Sequence, residues 1–355
     1  MLNIWIKEVE KYLFKGEILV MEKRRLGRTG LEVTAISFGA LPMQRCTMDE
    51  AGSVLETVLA TGINFIDTAR AYTDSEAKIG LHLSQRRSEF YLASKSMARD
   101  KESMAKDIDT SLATMKTDYI DLYQVHNIKT RKDLDSVMGS GGALEALKEA
   151  KEAGKIRNIG VTGHSVELLV EAIRTNEFST VQVPFNFVET KAREELFPLA
   201  KSLDIGIIVM KPLGGGQVTQ YNLALRFILE HEGTVAIPGM DVVEQIHENL
   251  KALTEYKPLS NEEREILRLE AEVLGPNFCR RCGYCMPCAV GIDIPQNFIF
   301  HLQYTRYGLT EAIPKRYASM AVKASDCIDC GICEDRCPYD LPIRARLKQV
   351  ASDLG

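Results

Sequence analysis

The sequence predicts an α/β protein, an eight-stranded parallel (β/α)₈ TIM barrel followed by a small, mainly α-helical domain rich in cysteine. Short apolar runs alternate with longer amphipathic runs from about residue 33 onwards, which is the rhythm of repeated βα units. Eight of the nine cysteines fall after residue 278, in two tight groups, which is typical of a metal-binding module in a reducing compartment. The 355 residues suit one large barrel and one small appendage.

Eight apolar runs are candidate strands. They are VTAISF (33–38), INFI (63–66), FYLAS (90–94), YIDLYQV (119–125), IRNIGV (156–161), TVQVPF (180–185), GIIVM (206–210) and TVAIP (234–238). The helix-like stretches between them include DEAGSVLETVLATG, KESMAKDIDTSLATM, GALEALKEAKEAG and VELLVEAIRT. A doubly wound sheet is the competing fold, but it normally carries GxGxxG after its first strand. That motif is absent from the sequence, so the barrel is favoured.

The chain beyond the barrel begins with one more predicted helix. The segment SNEEREILRLEAEV (260–273) opens with a Ser-x-x-Glu capping box, and Leu274-Gly275-Pro276 then indicates a boundary. We therefore expect an N-terminal extension over 1–20, the barrel over 21–275 and the cysteine-rich domain over 276–355. We expect the helix to return the chain to the barrel mouth, so that the cysteines border the pocket.

Residues 1–20 are interpreted separately, because the segment from Met21 already reads as a complete beginning for the barrel. Our hypothesis is a mis-assigned start, since Lys15-Gly16-Glu17 can be encoded with a ribosome-binding sequence a few codons before Met21. The alternative is a genuine amphipathic helix. A peptide from before Met21 in native protein would exclude the hypothesis.

Composition and charge argue against several classes of function. The formal net charge of -5 provides no basic field for a phosphate backbone, so we expect no nucleic-acid partner. The apolar stretches are interrupted by charges well short of a membrane span, and the N-terminus lacks the apolar region of a signal peptide. We expect a cytoplasmic protein with no membrane partner.

Four polar side chains are predicted to meet at one rim of the barrel. Asp67 ends the second candidate strand, Tyr72 lies in the loop after it, Lys95 ends the third strand and His126 ends the fourth. In barrel enzymes the reacting groups lie where strands end at the carboxyl face. Each residue alone has an ordinary structural explanation, but the four together indicate catalysis.

The motifs around these residues closely resemble the aldo-keto reductases. FIDTARAYTDSEAKIG is similar to the family's signature, YLASK to its lysine strand, LYQVH to its histidine strand and GKIRNIGV to its fifth strand. The resemblance covers about residues 21–273. It implies an NAD(P)H-dependent oxidoreductase that reduces an aldehyde or ketone to an alcohol, or the reverse, with Asp67, Tyr72, Lys95 and His126 as the catalytic tetrad.

The chemistry of carbonyl reduction explains these residue types. Tyr72 would donate the proton to oxygen, and a nearby ammonium at Lys95 would bring the phenol pKa closer to working pH. Asp67 would hold Lys95 charged and aimed. His126 would orient the carbonyl oxygen, while the nicotinamide supplies the hydride.

The resemblance also implies cofactor contacts, either for NADP or for NAD. Gln182 falls where the family binds the nicotinamide amide, the loop KPLGGG (211–216) follows the seventh strand, and IPGMDVVEQIHEN (237–249) resembles the adenosine-end segment. The expected cofactor-binding residues are Thr162, Gly163, Gln182, Met210, Lys211, Pro212, Leu213, Gly214, Gly239, Gln245, Glu248 and Asn249.

Several of these positions depart from the family's pattern. Gly239 and Gln245 stand where many relatives place Lys and Arg against the 2'-phosphate of NADP. The choice between NADP and NAD is therefore open. Lys211 or Arg193 could replace the missing cations. Thr162-Gly163 replaces the Ser-Asn pair that holds the carboxamide. Met210 replaces the ring-stacking Tyr.

The cysteines form two similar runs, CRRCGYCMPC and CIDCGICEDRCP. The second run is the bacterial ferredoxin pattern CxxCxxCxxxCP, whose fourth cysteine serves the other cluster in two-cluster ferredoxins. The candidate ligands are Cys279, Cys282, Cys285, Cys288, Cys327, Cys330, Cys333 and Cys337. If the fourth cysteines are exchanged in this way, Cys279, Cys282 and Cys285 share a cluster with Cys337, and Cys327, Cys330 and Cys333 share one with Cys288. The first run departs from the ferredoxin pattern in its final spacing, so the exchange stays open. Two 4Fe-4S clusters are favoured over zinc, whose thiolate sites usually come as two separated CxxC pairs.

Two functions remain open for the whole chain. The first is a carbonyl reductase or alcohol dehydrogenase acting on a small carbonyl or alcohol substrate, with an iron-sulfur appendage that is structural, docks a redox partner protein or senses oxidation. The second is an electron-transfer or redox-sensing protein whose barrel binds nicotinamide with little turnover. The chain contains no recognisable flavin site that would convert a hydride pair into single electrons.

Overall fold

The computed structural model describes residues 21–275, 278–305 and 310–355, and the extension at 1–20 lies outside the described residues. Ten strands occur in this part of the chain. They are β1 (Lys23–Arg25), β2 (Glu32–Thr34), β3 (Phe38–Gly39), β4 (Phe65–Asp67), β5 (Tyr91–Ser96), β6 (Ile120–Ile128), β7 (Ile156–Gly163), β8 (Thr180–Pro184), β9 (Gly206–Met210) and β10 (Thr234–Ala236).

Strands β3 to β10 form one parallel sheet in chain order. Parallel bridges from Ile36 to Ala236 and from Gly39 to Gly239 connect its two ends, so the sheet closes on itself as the predicted (β/α)₈ barrel. Because all eight strands run in the same direction, their carboxyl ends share one rim.

The first candidate strand is divided in the structure. Its beginning, in β2, pairs antiparallel with β1 rather than with the barrel. The prediction of a single strand over 33–38 was therefore wrong. The Ser37 hydroxyl donates to the Thr34 carbonyl at 2.7 Å, a local bond of the kind that competes with strand pairing. The hairpin places Leu26 and Val33 in the apolar cluster inside the base of the barrel.

Helices follow most of the strands and cover the barrel. They are α1 (Met48–Ala60), α2 (Ser75–Leu83), α3 (Lys101–Met115), α4 (Arg131–Met138), α5 (Ala143–Glu152), α6 (Val166–Arg174), α7 (Leu196–Ser202), α8 (Tyr221–Leu229), α9 (Val243–Thr254) and α10 (Asn261–Leu274). The capping box predicted for the last of these is present, with Ser260 as the N-cap and Glu263 as its partner.

The cysteine-rich part is mainly helical, as predicted. Its described helices are α11 (Ile294–Thr305), α12 (Ala312–Ala318), α13 (Ile332–Arg336) and α14 (Ile343–Leu354). The apolar run YASMAV (317–322) favours a helix, but only its first two residues are helical, because the helix ends at Ala318. This domain has its own apolar core, in which Phe298, Ile313 and Leu347 are buried together with four of the cysteines. Within the described ranges no helix is both long and apolar enough to cross a membrane.

Candidate active site

The four polar side chains predicted from the strand ends lie together at the carboxyl rim. Lys95 Nζ donates to Asp67 Oδ1 at 2.6 Å and to the Thr68 carbonyl at 2.8 Å. The same Nζ lies 4.9 Å from the centroid of the Tyr72 ring. The rings of Tyr72 and His126 meet edge to face, 5.8 Å apart. The barrel thus brings an acid, an amine, a phenol and an imidazole into one cluster.

The central ion pair is buried and supported by amides. Asp67 is 2% exposed and Lys95 is 1% exposed. Burial raises the pKa of Asp67 and lowers the pKa of Lys95, while the attraction between them opposes both shifts. Gln124 Nε2 donates to Asp67 Oδ2 at 3.1 Å and to Gln182 Oε1 at 3.0 Å. The sequence reasoning missed Gln124, although its position two residues before His126 places both on one face of β6.

Burial sets the protonation of the two ring residues. It raises the pKa of Tyr72 well above its usual value, and the Asp67 charge adds to the increase. The expected net lowering of this pKa by Lys95 is not found, because desolvation of the phenolate outweighs any stabilisation by the ammonium. Burial and the charge of Lys95 hold the pKa of His126 well below its usual value. At neutral pH both the phenol and the imidazole are uncharged.

A large cavity opens beside Tyr72 and Asp67 at the barrel mouth. Most of the expected cofactor-binding residues line it. These are Gln182, Met210, Lys211, Pro212, Leu213, Gly239, Gln245, Glu248 and Asn249. Arg45, which the sequence reasoning missed, also lines it, as do Gly216 and Asp241 of the two expected cofactor segments. The ends of five strands, β3, β4, β8, β9 and β10, and the loops after them therefore contribute to one site.

Three of the expected cofactor residues do not line this cavity. The buried Thr162 Oγ1 accepts a hydrogen bond from the backbone N–H of Asn127 at 2.8 Å. Added Cβ atoms on Gly163 and Gly214 would lie 3.0 Å from the Ile128 carbonyl oxygen and from the Phe278 ring, respectively. Thr162, Gly163 and Gly214 thus face other parts of the protein in this structure.

The two proposed substitutes for the missing phosphate cations differ in position. Arg193 is exposed and does not belong to the described residues that line the cavity. Lys211 lines it, but its Nζ lies 2.8 Å from His164 Nε2 and donates to the Tyr339 hydroxyl at 2.9 Å. His164 Nδ1 in turn lies 2.9 Å from Asn127 Oδ1. Lys211 is therefore part of a half-buried hydrogen-bond network as well as of the cavity wall.

The cysteine-rich domain contributes directly to the site. Arg280, Arg281, Cys282 and Tyr284 line the same cavity as Tyr72. The helix α10 ends in an apolar cluster in which Leu274 packs with residues on both sides of the junction between barrel and module. The expectation that this helix returns the chain to the barrel mouth is confirmed. Spacing alone could not show which residues of the first cysteine run would face the pocket.

The eight cysteines of the C-terminal domain line two further cavities. One is lined by Cys279, Cys282, Cys285 and Cys337. The other is lined by Cys288, Cys327, Cys330 and Cys333, with Cys285 in the wall towards the first. These sets correspond to the exchanged pairing of two-cluster ferredoxins. None of the nine cysteines forms a disulfide bond.

The thiols surround cavities rather than a single point. Among the described residues, no group of three or more His, Cys, Asp or Glu side chains is arranged to hold one metal ion. Four thiolates at about 2.3 Å from one centre are what a zinc site needs. Four cysteines around a cavity are a donor set that fits a polynuclear cluster.

Comparison with known proteins agrees with this geometry. The model of the aldo/keto reductase family matches residues 35–222, and the model of the 4Fe-4S dicluster domain matches residues 278–342. L-galactose dehydrogenase of Arabidopsis thaliana is 29% identical, over 71% of this chain and 94% of its own length. The holo-form aldo-keto reductase of Bacillus halodurans is 26% identical with a TM-score of 0.61, over 70% of this chain and 96% of its own.

A further solved structure agrees in fold alone. It is the Klebsiella pneumoniae aldo/keto reductase in complex with NADP and acetate, which is 24% identical with a TM-score of 0.59 and covers 70% of this chain and 95% of its own. The chain belongs to the aldo/keto reductase family of oxidoreductases. It differs from a barrel alone by its C-terminal 4Fe-4S dicluster domain.

Proposed function

We propose that this chain is an NAD(P)H-dependent carbonyl reductase, which reduces a small aldehyde or ketone to an alcohol or catalyses the reverse reaction. The observation that carries the proposal is that Asp67 and Tyr72, both in contact with the buried Lys95, line the same cavity as the expected cofactor residues. When bound there, the nicotinamide supplies a hydride to the carbonyl carbon.

The side chains would divide the remaining work. Tyr72 donates its proton to the carbonyl oxygen, because its phenol is protonated at neutral pH and is therefore available as the general acid. Lys95, 4.9 Å from the ring centroid, stabilises the negative charge that develops on the phenol oxygen. Asp67 keeps Lys95 charged and directed. The module covers the rim with Cys282 and Tyr284 and limits the access of water to the reacting atoms.

We propose that Arg45 and Arg281 hold the phosphates of the cofactor. Arg45 pairs with Asp241 at 3.1 Å. Burial, followed by the neighbouring Arg45 charge, lowers the pKa of the Arg281 guanidinium. A Cβ on Gly216 would lie 3.7 Å from Arg281 Nη1, in the loop where phosphates are expected. Two close cations on a cavity wall favour an anion between them, and they compensate for the uncharged Gly239 and Gln245.

We further propose two 4Fe-4S clusters. Cys279, Cys282, Cys285 and Cys337 would hold an inner cluster beside the catalytic cavity. Cys288, Cys327, Cys330 and Cys333 would hold an outer cluster, at which Cys330 is exposed. Each cluster can exchange single electrons. We also propose that the barrel comprises residues 21–275 and the iron-sulfur domain residues 276–355. A redox partner protein is proposed as well.

The test of the reductase is aldehyde-dependent oxidation of NADPH or NADH. We expect turnover of a small aldehyde by the anaerobically purified holoprotein. Tyr72→Phe keeps the ring and removes the proton donor, so turnover should fall by about 10²–10⁴-fold while NADPH still binds in a calorimetric titration. Equal turnover in Tyr72→Phe would exclude the assigned role.

One observation favours electron transfer as a second candidate function. Cys282 lines both the catalytic cavity and the inner cluster cavity, while Cys285 lines both cluster cavities. The exposed Cys330 lies at the outer end of this series. Single electrons could therefore pass from the surface through the outer cluster and then the inner cluster to the barrel mouth.

Absorption spectra of the anaerobic holoprotein separate the two candidates. Bleaching of the cluster band by dithionite but not by NADPH is expected for the reductase with separate clusters. Bleaching by NADPH as well would place electron transfer first, because the hydride pair would then reach the clusters as single electrons.

A further inference from the structure

Tyr284 links the iron-sulfur domain to the imidazole of the catalytic cluster. It lies between Cys282 and Cys285 in the chain, and its hydroxyl oxygen is 2.8 Å from His126 Nε2. Its ring also meets the rings of His126 and His164 edge to face, at 5.9 Å in each case. The phenol is therefore held by the barrel on one side and by two proposed cluster ligands on the other.

The cavity reaches the two phenols but not the imidazole. Tyr72 and Tyr284 both line it, whereas His126 is 2% exposed and lies outside its described lining. A carbonyl group that enters from the cavity therefore meets two tyrosine side chains first. In this arrangement His126 acts on the carbonyl oxygen only through Tyr284.

The unpaired nitrogen of His126 indicates the direction of the hydrogen bond. Among the described residues, His126 Nδ1 is buried without a hydrogen-bond partner. A proton on Nδ1 would leave a buried N–H donor unsatisfied, and orphaned buried N–H groups are rare. The tautomer with the proton on Nε2 avoids this and donates to the Tyr284 oxygen. The hydroxyl hydrogen of Tyr284 is then free to point into the cavity.

We infer that Tyr284 is a catalytic residue of the proposed reductase, which accepts the hydrogen bond of His126 and donates its own to the carbonyl oxygen. The inference rests on the proposed function. Tyr284 keeps its proton throughout, because Tyr72 supplies the proton that the alcohol oxygen gains. The carbonyl oxygen is thus held between two phenols, one from the barrel and one from the iron-sulfur domain.

Tyr284 is next to the inner cysteine set in the chain. Cys282 and Cys285 lie within two residues of Tyr284 and line the inner cluster cavity. A cluster bound there would fix the phenol against His126 and so complete the active site.

Tyr284→Phe tests the inference, since it keeps the ring and removes the hydroxyl. Benzaldehyde turnover should fall by about 10²–10³-fold, the usual effect of losing one donor to a developing oxyanion, with the KM for NADPH and the iron content unchanged. The matched control is Tyr304→Phe, in the same domain, whose ring packs against its apolar core. Its turnover should equal that of the wild type.

The other outcomes have distinct meanings. Turnover that rises in Tyr284→Phe would show that the tyrosine blocks the carbonyl position, and unchanged turnover would show that it is only a wall; either result overturns the inference. Combining Tyr284→Phe with His126→Leu should lose no more than the worse single variant, because both act in one chain of hydrogen bonds.

If the wild type turns over no carbonyl compound, the proposed function is excluded. A binding measurement still tests the role of Tyr284 in that case. Acetate places a carboxylate oxygen where the carbonyl oxygen would lie. Calorimetric titration of acetate, with and without NADP, should show weaker binding to Tyr284→Phe than to wild type or Tyr304→Phe. Equal or tighter binding would overturn the role of the hydroxyl.

Discussion

Lys211 Nζ donates a hydrogen bond to the hydroxyl of Tyr339 at 2.9 Å, and this bond joins the end of β9 to the segment just after the last cysteine. Arg280 reinforces the junction through its pairing with Glu189 at 3.2 Å. The Gln217 side chain also donates to the Cys279 carbonyl. The iron-sulfur domain is therefore docked on the rim that carries the catalytic cluster.

Variants of the buried ion pair between Asp67 and Lys95 should change stability and catalysis in different ways. Asp67→Asn or Lys95→Met alone leaves one uncompensated buried charge, so each should lose about 3–5 kcal/mol of stability. The double variant Asp67→Asn/Lys95→Met should recover most of that loss without recovering turnover, because no ammonium then faces Tyr72. Thermal melting and NADPH oxidation measure the two properties. A double variant as unstable as the singles would contradict this account.

The two directions of the reaction should differ in pH dependence. The pKa of Tyr72 is raised well above its usual value of about 10, so the phenol keeps its proton as pH increases. Aldehyde reduction, which needs the proton, should be flat from about pH 7 to 9. Alcohol oxidation needs the phenolate and should increase about tenfold per pH unit over the same range. A plateau in the rate of alcohol oxidation below about pH 9 would show that the Lys95 charge outweighs desolvation and lowers the pKa of Tyr72.

Arg281 should act on the cofactor from outside the barrel. Arg281→Ala should weaken both NADPH and NADH by about tenfold, the effect of losing a charge-assisted hydrogen bond of about 1.4 kcal/mol, because the residue lies beside Gly216 where the pyrophosphate is expected. Arg316→Ala, an exposed arginine of the same domain, is the control. Calorimetry measures both affinities. A loss confined to NADPH would assign Arg281 to the 2'-phosphate instead.

The exchanged cysteine sets predict unequal effects of two matched variants. Cys337→Ser and Cys288→Ser should each reduce the iron content from about eight to about four per chain. Only the inner set contains Cys337 and lines the cavity near Tyr284, so Cys337→Ser should impair aldehyde turnover more. Cys46→Ser should keep all of the iron, since Cys46 lies in the barrel. A stronger effect of Cys288→Ser would show that each run of four cysteines holds its own cluster.

Most of the barrel was predictable because its signals are local. The strand at Gly206–Met210 agrees with its candidate run, and the helix Lys101–Met115 agrees with its stretch, since apolar periodicity and capping are set by neighbouring residues. The segment 33–38 was predicted as one strand because its apolar run is continuous. Its division depends on pairing with Lys23–Arg25, which a periodicity argument does not contain.

The sequence by itself determined the class of fold, the residue types of the catalytic cluster and the eight cysteines, because each is written as a short motif with its own spacing. Only the tertiary structure decided how the two halves meet. The hydrogen bond between Tyr284 and His126 joins residues 158 positions apart, as the division of the cysteines joins Cys337 to the first run. Such contacts follow from the packing of the module on the barrel rim, which no local pattern in the sequence contains.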